Sequence, residues 1–381
     1  EIASCLVGSE MCIRDRSMMI KVMQLIHGFN TGGAETVVKN YALLMDKEKY
    51  DLTVLCIEHR DSPYEKILKD AGIKVIYTCD YFKNKLSKKF GTDFLIRKII
   101  RDLHPDIIHV HLLMNHYVKF ARPNPETKIF YTQHYDLSRM TKKESCLLKW
   151  IIAHYQTQLI AINDTMQIEL NQRFSVSNTA VIKNGIYLED YKKSVDRGVV
   201  RRKEKIPEDA FVIVHVGRFA GVKNHDFLVD VFEQIKKKNK KAYLLMIGSG
   251  ETEGKVRAKL NEKKLDGSYT ILHNRTDVAA LLKASDAAVF PSNTEGLGIA
   301  VIEMQAAGLP IVASCGVPKL TQVSNYITYV DLKQGAEYWA DELMRLVEST
   351  IDDKQLYVDS WDVKSSVSEL QKLYESSLEM E

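Results

Sequence analysis

Short apolar runs that alternate with helical patterns constrain the fold of this chain more than any other feature. Each run has four to seven residues, which suits a buried strand, and most are followed by a loop and then by apolar residues at helical spacing. The runs are 20–26, 52–57, 74–77, 107–111, 128–133, 159–162, 211–216, 244–247, 269–272, 287–291 and 310–313. This alternation predicts parallel sheets with helices on both faces, and ligands that bind beyond the carboxyl ends of the strands.

The length predicts two such units, because 381 residues exceed the usual size of a single core. We predict a first domain at 18–187 and a second at 208–356. Between them, residues 188–207 are charged and lack apolar periodicity, so we interpret them as an interdomain linker. The tail at 357–381 carries apolar residues at helical spacing and predicts a final amphipathic helix.

The composition is that of an ordinary globular protein, with 45% hydrophobic and 27% charged residues. A net charge of +3 is too small to indicate nucleic-acid binding, and it permits only a weak attraction to an anionic membrane. The six cysteines form no CxxC pair, which favours a reducing compartment. No apolar run approaches the roughly 20 residues of a membrane span. We therefore expect a cytoplasmic protein that associates at most peripherally with the inner face of the plasma membrane.

The first 17 residues, EIASCLVGSEMCIRDRS, are expected to be a non-native prefix. They have an acidic start and too short an apolar core for a signal peptide. They look like translated sequencing-adapter sequence. We therefore expect the natural start at Met18 or Met19 and exclude this prefix from the fold prediction.

Residues 289–316 carry the strongest chemical signal in the chain. The segment reads as a buried strand, a small-polar loop with Glu295, Gly296 and Gly298, and then a helix. The first amides of a helix have no partner within it and lie at the positive end of its dipole, so an anion can bind there without a metal. Glu303 follows Glu295 by eight residues, and the two carboxylates could hold different hydroxyls of one ligand.

Three further motifs follow predicted strands. The segment HGFNTGGAE places Gly32 and Gly33 where backbone can approach a ligand at the start of a helix. The segment GRFAGVKN combines the planar fork of Arg218 with the point charge of Lys223, a pairing suited to a diphosphate. The segment YTQHYDLS places His134 at a strand end, where a neutral imidazole could donate a hydrogen bond to a sugar hydroxyl or support the acceptor.

These segments resemble the retaining glycosyltransferases of family 4. The stretch FPSNTEGLGIAVIEMQAAGLPIVAS matches their donor-site motif almost residue by residue, and the resemblance runs from Met19 to about Leu378. It implies an α/β protein of the GT-B fold, in which two Rossmann-like, doubly wound parallel-sheet domains face a cleft. In that fold the final helix crosses back onto the first domain. Enzymes of bacterial capsule and exopolysaccharide synthesis are the most similar in character.

The resemblance also implies roles for individual residues. Glu295 would face the donor sugar, and Glu303 would hold the ribose of the nucleotide. Arg218 and Lys223 would neutralise the leaving diphosphate. His134 would contact the donor sugar and the reaction centre.

The glycine loop at Gly32 and Gly33 would face the donor phosphates and the acceptor. With these two glycines, the donor-binding set implied by the resemblance comprises Arg218, Lys223, Gly248, Glu295, Gly296, Leu297, Gly298 and Glu303.

A metal site is not expected. His109, His111 and His116 lie close in sequence, but no nearby carboxylate or cysteine completes a recognisable ligand spacing. We expect His111 to border the acceptor cleft instead. The chain also contains no Asp-x-Asp, the metal–diphosphate motif of the other main glycosyltransferase fold.

The expected function is transfer of a sugar, with retention, from a nucleotide-sugar donor to a hydroxyl of a glycan or lipid-linked oligosaccharide. A UDP-sugar is the expected donor, and surface polysaccharide synthesis the expected setting. Two alternatives remain: a GT-B nucleotide-sugar epimerase and a non-catalytic nucleotide-sugar-binding subunit. A nicotinamide dehydrogenase is disfavoured, because no G-x-G-x-x-G follows the first strand.

Overall fold

The structure is a computed structural model that describes residues 19–30, 32–60, 62–349 and 356–379. The predicted prefix at 1–17 lies outside the described residues. Two parallel sheets dominate the rest of the chain, each covered by helices on both faces. The α/β prediction with two doubly wound domains is therefore confirmed.

The first sheet belongs to the amino-terminal domain and has the strand order β3-β2-β1-β4-β5-β6-β7. Its strands pair in parallel, so the loops that follow them meet at one edge; Ile26 of β1, for example, lies opposite Cys56 of β2. The strands are β1 (Ile20–Ile26), β2 (Tyr50–Cys56), β3 (Lys74–Tyr77), β4 (Ile107–His111), β5 (Lys128–Thr132), β6 (Thr157–Ala161) and β7 (Ala180–Val181). The helices are α1 (Gly33–Leu44), α2 (Tyr64–Asp70), α3 (Lys85–Leu103), α4 (Asn115–Ala121), α5 (Lys142–His154) and α6 (Asp164–Phe174).

The second sheet belongs to the carboxy-terminal domain and has the strand order β10-β9-β8-β11-β12-β13, again all parallel. Its central strands are mostly apolar, with His215 and Ser314 as buried exceptions, because helices cover both faces. The strands are β8 (Phe211–Val216), β9 (Ala242–Ile247), β10 (Tyr269–Leu272), β11 (Ala287–Phe290), β12 (Ile311–Ser314) and β13 (Ile327–Val330). The helices are α9 (His225–Lys238), α10 (Glu253–Glu262), α11 (Val278–Lys283), α12 (Ile299–Ala306) and α13 (Gly335–Glu348).

The segment between the domains contains two short helices, α7 (Leu188–Lys192) and α8 (Arg197–Lys203). The sequence did not predict α8, because a buried arginine rather than an apolar stripe anchors it. The guanidinium of Arg201 donates to the carbonyls of Glu208, Ala210 and Ala284 and forms an ion pair with Asp286 at 2.7 Å. These contacts fix α8 on the second domain.

The final helix α14 (Val363–Glu379) packs on the first domain, although it follows the second domain in the sequence. Its buried face consists of Val363, Val367, Leu370 and Tyr374, which belong to the same apolar core as β1 and α1. A parallel bridge between Ile186 and Asp362 leads the chain into this position. None of the helices in the described ranges is both long and apolar enough to cross a membrane.

The two domains contact each other through residues that follow strands at the carboxyl ends of the two sheets. Leu297, Ile302 and Val323 of the second domain join the apolar core that lies between the first sheet and α4 to α6. The side chain of Asn163 accepts a hydrogen bond from Met166 N at 2.8 Å and so caps α6. Its Nδ2 atom donates to the carbonyl of Gly296 at 3.2 Å. One residue therefore starts a helix in the first domain and holds a loop of the second.

Candidate active site

The loop between β11 and α12 leads to a helix whose amino end has no side-chain cap. Gly298 lies at the start of α12 with φ +80°, in the left-handed region that glycine tolerates, and it offers no side chain to the first amides. The described residues provide no side-chain cap at this end. The amino end of α12 therefore keeps free donors and positive dipole potential for an anion.

Gly296 and His134 meet across the interdomain cleft. A Cβ atom at position 296 would lie 3.2 Å from the carbonyl oxygen of His134 and 3.3 Å from the Cα atom of Tyr135. The glycine thus allows the loop of the second domain to lie directly against the loop that follows β5. Leu297, the next residue, is buried against the first domain.

Lys223 and Glu295 form an ion pair inside this cleft. Lys223 Nζ lies 2.6 Å from Glu295 Oε1, and the two side chains are only 19% and 11% exposed. Asn293 N donates to Val222 O at 2.8 Å, which fixes the turn with Lys223 against the loop with Glu295. The GRFAGVKN segment after β8 and the loop between β11 and α12 are therefore one structural unit.

Asn224 connects this turn to α9 and caps the amino end of that helix. It adopts φ +54°, and its side chain accepts from Phe227 N. After glycine, asparagine is among the residues that best tolerate this left-handed conformation, because its short polar side chain can hydrogen-bond locally.

Arg218 is exposed at the end of β8 and acts electrostatically on Glu35 of the opposite domain. Burial raises the pKa of the Glu35 carboxyl, and the nearby guanidinium of Arg218 opposes this shift. Glu35 lies in the first turn of α1, within the GGAE segment, but our sequence analysis did not single it out. Its position two residues after Gly33, in the same short segment, was the signal that could have identified it.

The two glycines of that segment differ in their surroundings. A Cβ atom on Gly32 would lie 2.6 Å from the Oε2 atom of Glu35, so the glycine leaves room for this carboxylate. Gly33 is exposed, and a Cβ atom there would meet nothing within 4 Å. Gly33 therefore faces open space at the amino end of α1.

Gly248 brings the end of β9 against the end of β8. It has φ +153°, and a Cβ atom there would lie 2.1 Å from the carbonyl oxygen of Gly217. Phe219 N also donates to Ser249 O at 3.0 Å. This close backbone contact supports the segment that presents Arg218.

Glu303 faces the first domain and the interdomain segment from α12. Burial raises the pKa of its carboxyl to about 7, while a hydrogen bond from Tyr191 of α7 and the charge of Lys39 on α1 lower it. Burial raises the pKa of Tyr64 and the charge of Glu303 adds to that rise, so Tyr64 belongs to the same group. Glu303 therefore lies among residues from both domains, whereas Glu295 pairs with Lys223.

His111 does not border the cleft as we expected. It is fully buried, and its Nδ1 atom lies 2.9 Å from His134 Nε2. His109 is also fully buried and bonds Thr132 and Tyr374 through its two ring nitrogens. These ring nitrogens are occupied by hydrogen bonds, which accounts for the two buried histidines without a metal.

Within the described ranges, one group of side chains could together hold a metal ion. It consists of His59, Cys79 and Asp80, whose ligand atoms lie within 4.8 Å of one another. None of the residues predicted for the donor site belongs to this group.

Two facing parallel-sheet domains, each with helices on both faces of its sheet, have the architecture of the GT-B glycosyltransferases. Residues 31–190 match the family model "Glycosyltransferase Family 4", and residues 196–357 match "Glycosyl transferases group 1". Together the two models cover most of the chain, which belongs to this family of glycosyltransferases.

Similar proteins agree with this assignment. The capsular polysaccharide biosynthesis glycosyltransferase CapH of Staphylococcus aureus is 24% identical, over 94% of this chain and 99% of CapH. The UDP-Gal:alpha-D-GlcNAc-diphosphoundecaprenol alpha-1,3-galactosyltransferase of Escherichia coli is 26% identical, over 71% and 73% of the two chains. The crystal structure of Anabaena HepE in complex with UDP and glucose matches with a TM-score of 0.75 and 18% identity, covering 94% of this chain and all of HepE. That last likeness shows the shared fold.

Proposed function

We propose that this protein transfers a sugar from a UDP-sugar to a hydroxyl of a glycan or lipid-linked oligosaccharide in surface polysaccharide synthesis. The reaction would retain the anomeric configuration and need no metal ion. The observation that carries the proposal is the Lys223–Glu295 pair, which lies beside the open end of α12 and next to Gly296, the residue that contacts the first domain.

The cleft supplies positive charge where a leaving diphosphate would need it. Lys223 and the first amides of α12 could bind the phosphate oxygens, and Arg218 could add a second cation. Such fixed donors stabilise charge that develops as the sugar–phosphate bond breaks. In the ligand-free protein Glu295 holds Lys223 in the cleft, so an incoming phosphate would exchange one anionic partner for another.

In the proposed transfer, the bond between the anomeric carbon and the diphosphate oxygen breaks. The acceptor oxygen bonds to the anomeric carbon on the same face, and its proton passes to the departing phosphate. Glu295 would position the donor sugar through its hydroxyls. Closure of the two domains would exclude water, which otherwise competes as an acceptor.

Similar proteins support the choice of donor and acceptor. HepE was crystallised with UDP and glucose, and the name of the E. coli relative specifies a UDP-sugar, a lipid-linked acceptor and an alpha product. CapH is named for capsular polysaccharide synthesis. A lipid-linked acceptor would bring this protein to a membrane surface, which is why peripheral association forms part of the proposal.

A panel of UDP- and GDP-sugars tests this proposal, first by thermal shift and then by transfer to lipid-linked acceptors with and without EDTA. We expect stabilisation by UDP-sugars, glycoside formation and no loss of rate in EDTA. Release of an epimerised nucleotide sugar without acceptor would support the epimerase alternative instead. Binding without hydrolysis or transfer for any donor would support the non-catalytic subunit.

A further inference from the structure

A continuous chain of buried polar side chains connects the final helix to His134. His109 lies 2.7 Å from the Thr132 hydroxyl and 2.6 Å from the Tyr374 hydroxyl. Gln24 lies between Tyr374 and His111, and His111 in turn contacts His134. This series of hydrogen bonds therefore joins α14, β1, β4 and β5 beneath the cleft.

The three histidines of this hydrogen-bonded series, His109, His111 and His134, are neutral at physiological pH. Burial lowers the pKa of His109 and His111 well below the usual value, and it lowers the pKa of His134 to about 3. A neutral imidazole has one N–H donor and one bare nitrogen that accepts. The hydrogen-bond partners of each ring therefore determine which nitrogen carries the proton.

The amide of Gln24 determines which atoms donate and which accept along the hydrogen-bonded series. Its Nε2 atom donates to the Tyr374 hydroxyl at 3.2 Å, and its Oε1 atom accepts from His111 Nε2. His111 Nδ1 then carries no hydrogen, so it accepts from His134 Nε2–H at 2.9 Å. His134 Nδ1 is left as a bare acceptor.

This acceptor has no partner among the described residues. His134 Nδ1 is buried and lacks a hydrogen bond to any described residue. A buried, unpaired acceptor is costly, so a site that keeps one is built to receive a donor. The carbonyl oxygen of the same residue lies against Gly296 of the donor loop.

We propose that Gln24 and His111 are positioning residues that hold His134 in its Nε2–H tautomer, so that His134 Nδ1 accepts a hydrogen bond from a sugar hydroxyl. This inference rests on the proposed function for the identity of the ligand. It reverses the donor role that the sequence alone suggested for His134. It also defines a specificity: the bound sugar needs a free hydroxyl at this point, and a deoxy or O-methyl sugar binds without that bond.

Nitrogen-15 NMR of histidine-labelled, ligand-free protein tests the tautomer directly, because the two ring nitrogens differ strongly in shift and in their coupling to ring protons. A His134→Gln variant identifies the signals of His134. We expect a protonated Nε2 and a bare Nδ1. A protonated Nδ1 would mean that the Gln24 amide is reversed and would overturn the proposal.

Two substitutions of His111 separate positioning from packing. His111→Asn keeps a carbonyl oxygen near the position of Nδ1, whereas His111→Phe keeps a ring without an acceptor. We expect His134 to keep its tautomer in the Asn variant and to lose its preference in the Phe variant. If His111→Phe does not fold, the tautomers of the wild type and of His111→Asn still decide.

Kinetics supply the second readout. We expect His111→Phe to lose roughly tenfold in kcat with little change in UDP affinity, and His111→Asn to recover most of that loss. Equal kcat values for the two variants would contradict the positioning role. The NMR result does not depend on transferase activity, so a correct tautomer in a protein that transfers no sugar would count against the proposed function alone.

Discussion

Lys223 Nζ lies 2.6 Å from Glu295 Oε1, which joins the segment after β8 to the loop after β11. Both side chains are largely buried, and Lys223 also lies 5.1 Å from the ring centroid of Phe290. The cleft thus keeps this lysine paired with a carboxylate. Under the proposed function, a phosphate that enters the cleft would compete with Glu295 for the same ammonium group.

Substitutions in this pair should separate binding from transfer. We expect Lys223→Ala to lower kcat about a hundredfold or more, because it removes a charge that stabilises the leaving diphosphate. Lys237→Ala, on an exposed face of α9, is the matched control and should leave kcat unchanged. Steady-state transfer kinetics measure both, and a Lys223→Ala enzyme with wild-type kcat would contradict the assignment.

Glu295→Gln should behave differently from Lys223→Ala. Removal of the carboxylate charge frees Lys223 for phosphate, so we expect UDP to bind at least as tightly as to the wild type while transfer falls. Isothermal titration calorimetry with UDP gives the affinity. Weaker UDP binding in Glu295→Gln would show that the pair does not compete with phosphate.

Donor affinity should depend on pH through Glu303. Burial raises the pKa of this carboxyl to about 7 in the ligand-free protein, and ribose hydroxyls donate more strongly to the ionised form. Binding therefore favours the carboxylate, and affinity is highest above pH 7 and falls as the pH drops below it. From pH 8 to pH 6 we expect roughly tenfold weaker binding of a UDP-sugar.

Glu303→Gln is the control for that measurement, because it keeps the shape and removes the titration. Its affinity for the UDP-sugar should change little between pH 6 and pH 8. Lys39, Tyr64 and Tyr191 surround Glu303; burial lowers the pKa of the Lys39 ammonium and raises the pKa of both phenols. The same pH slope in Glu303→Gln would exclude Glu303 as the cause.

Gly248→Ala should destabilise the second domain. The new Cβ atom would lie 2.1 Å from Gly217 O, in a backbone conformation that side chains rarely adopt, so the backbone beside Arg218 must move. We expect a loss of about 2 kcal/mol or more in the free energy of unfolding. Denaturant unfolding measures it.

Gly254→Ala provides the opposite case in the same domain. Gly254 lies in α10, and a Cβ atom there would meet nothing within 4 Å. Alanine is the better helix former, so we expect a gain of up to about 1 kcal/mol. Equal effects of the two substitutions would show that the close contact at Gly248 carries no strain.

Tyr374→Phe should destabilise the first domain through the buried hydrogen-bond chain. The phenol oxygen bonds both Gln24 and His109, and its loss leaves two buried groups without that partner. We expect about 1–3 kcal/mol of lost stability by denaturant unfolding. Tyr338→Phe, at an exposed position on α13, should change stability by less than about 0.5 kcal/mol.

The parallel-sheet architecture was predictable because its central strands are buried on both faces and read as continuous apolar runs. Two strands at the sheet margins were not predicted. β7 has only two residues, both partly buried, and β13 interrupts its apolar residues with a half-buried threonine and tyrosine. Short strands with one covered face give too little pattern to be recognised.

The motif in the loop after β11 could be recognised in the sequence because glycines and charged residues directly after a strand are typical of ligand-binding loops. The contacts of the histidines could not be predicted. His111 and His134 are 23 residues apart and meet because β4 and β5 are neighbours in the sheet. Gln24 and Tyr374 are 350 residues apart, and only the return of α14 to the first domain brings them together.

That return also sets an order for folding. Val363, Val367, Leu370 and Tyr374 complete a core whose other members precede the second domain in the chain. During synthesis the ribosome must therefore finish the second domain before the first can close over its apolar surface. Until then Gln24 and His109 lack the tyrosine that joins them, and the apolar surface that α14 covers in the folded protein stays exposed on the nascent first domain.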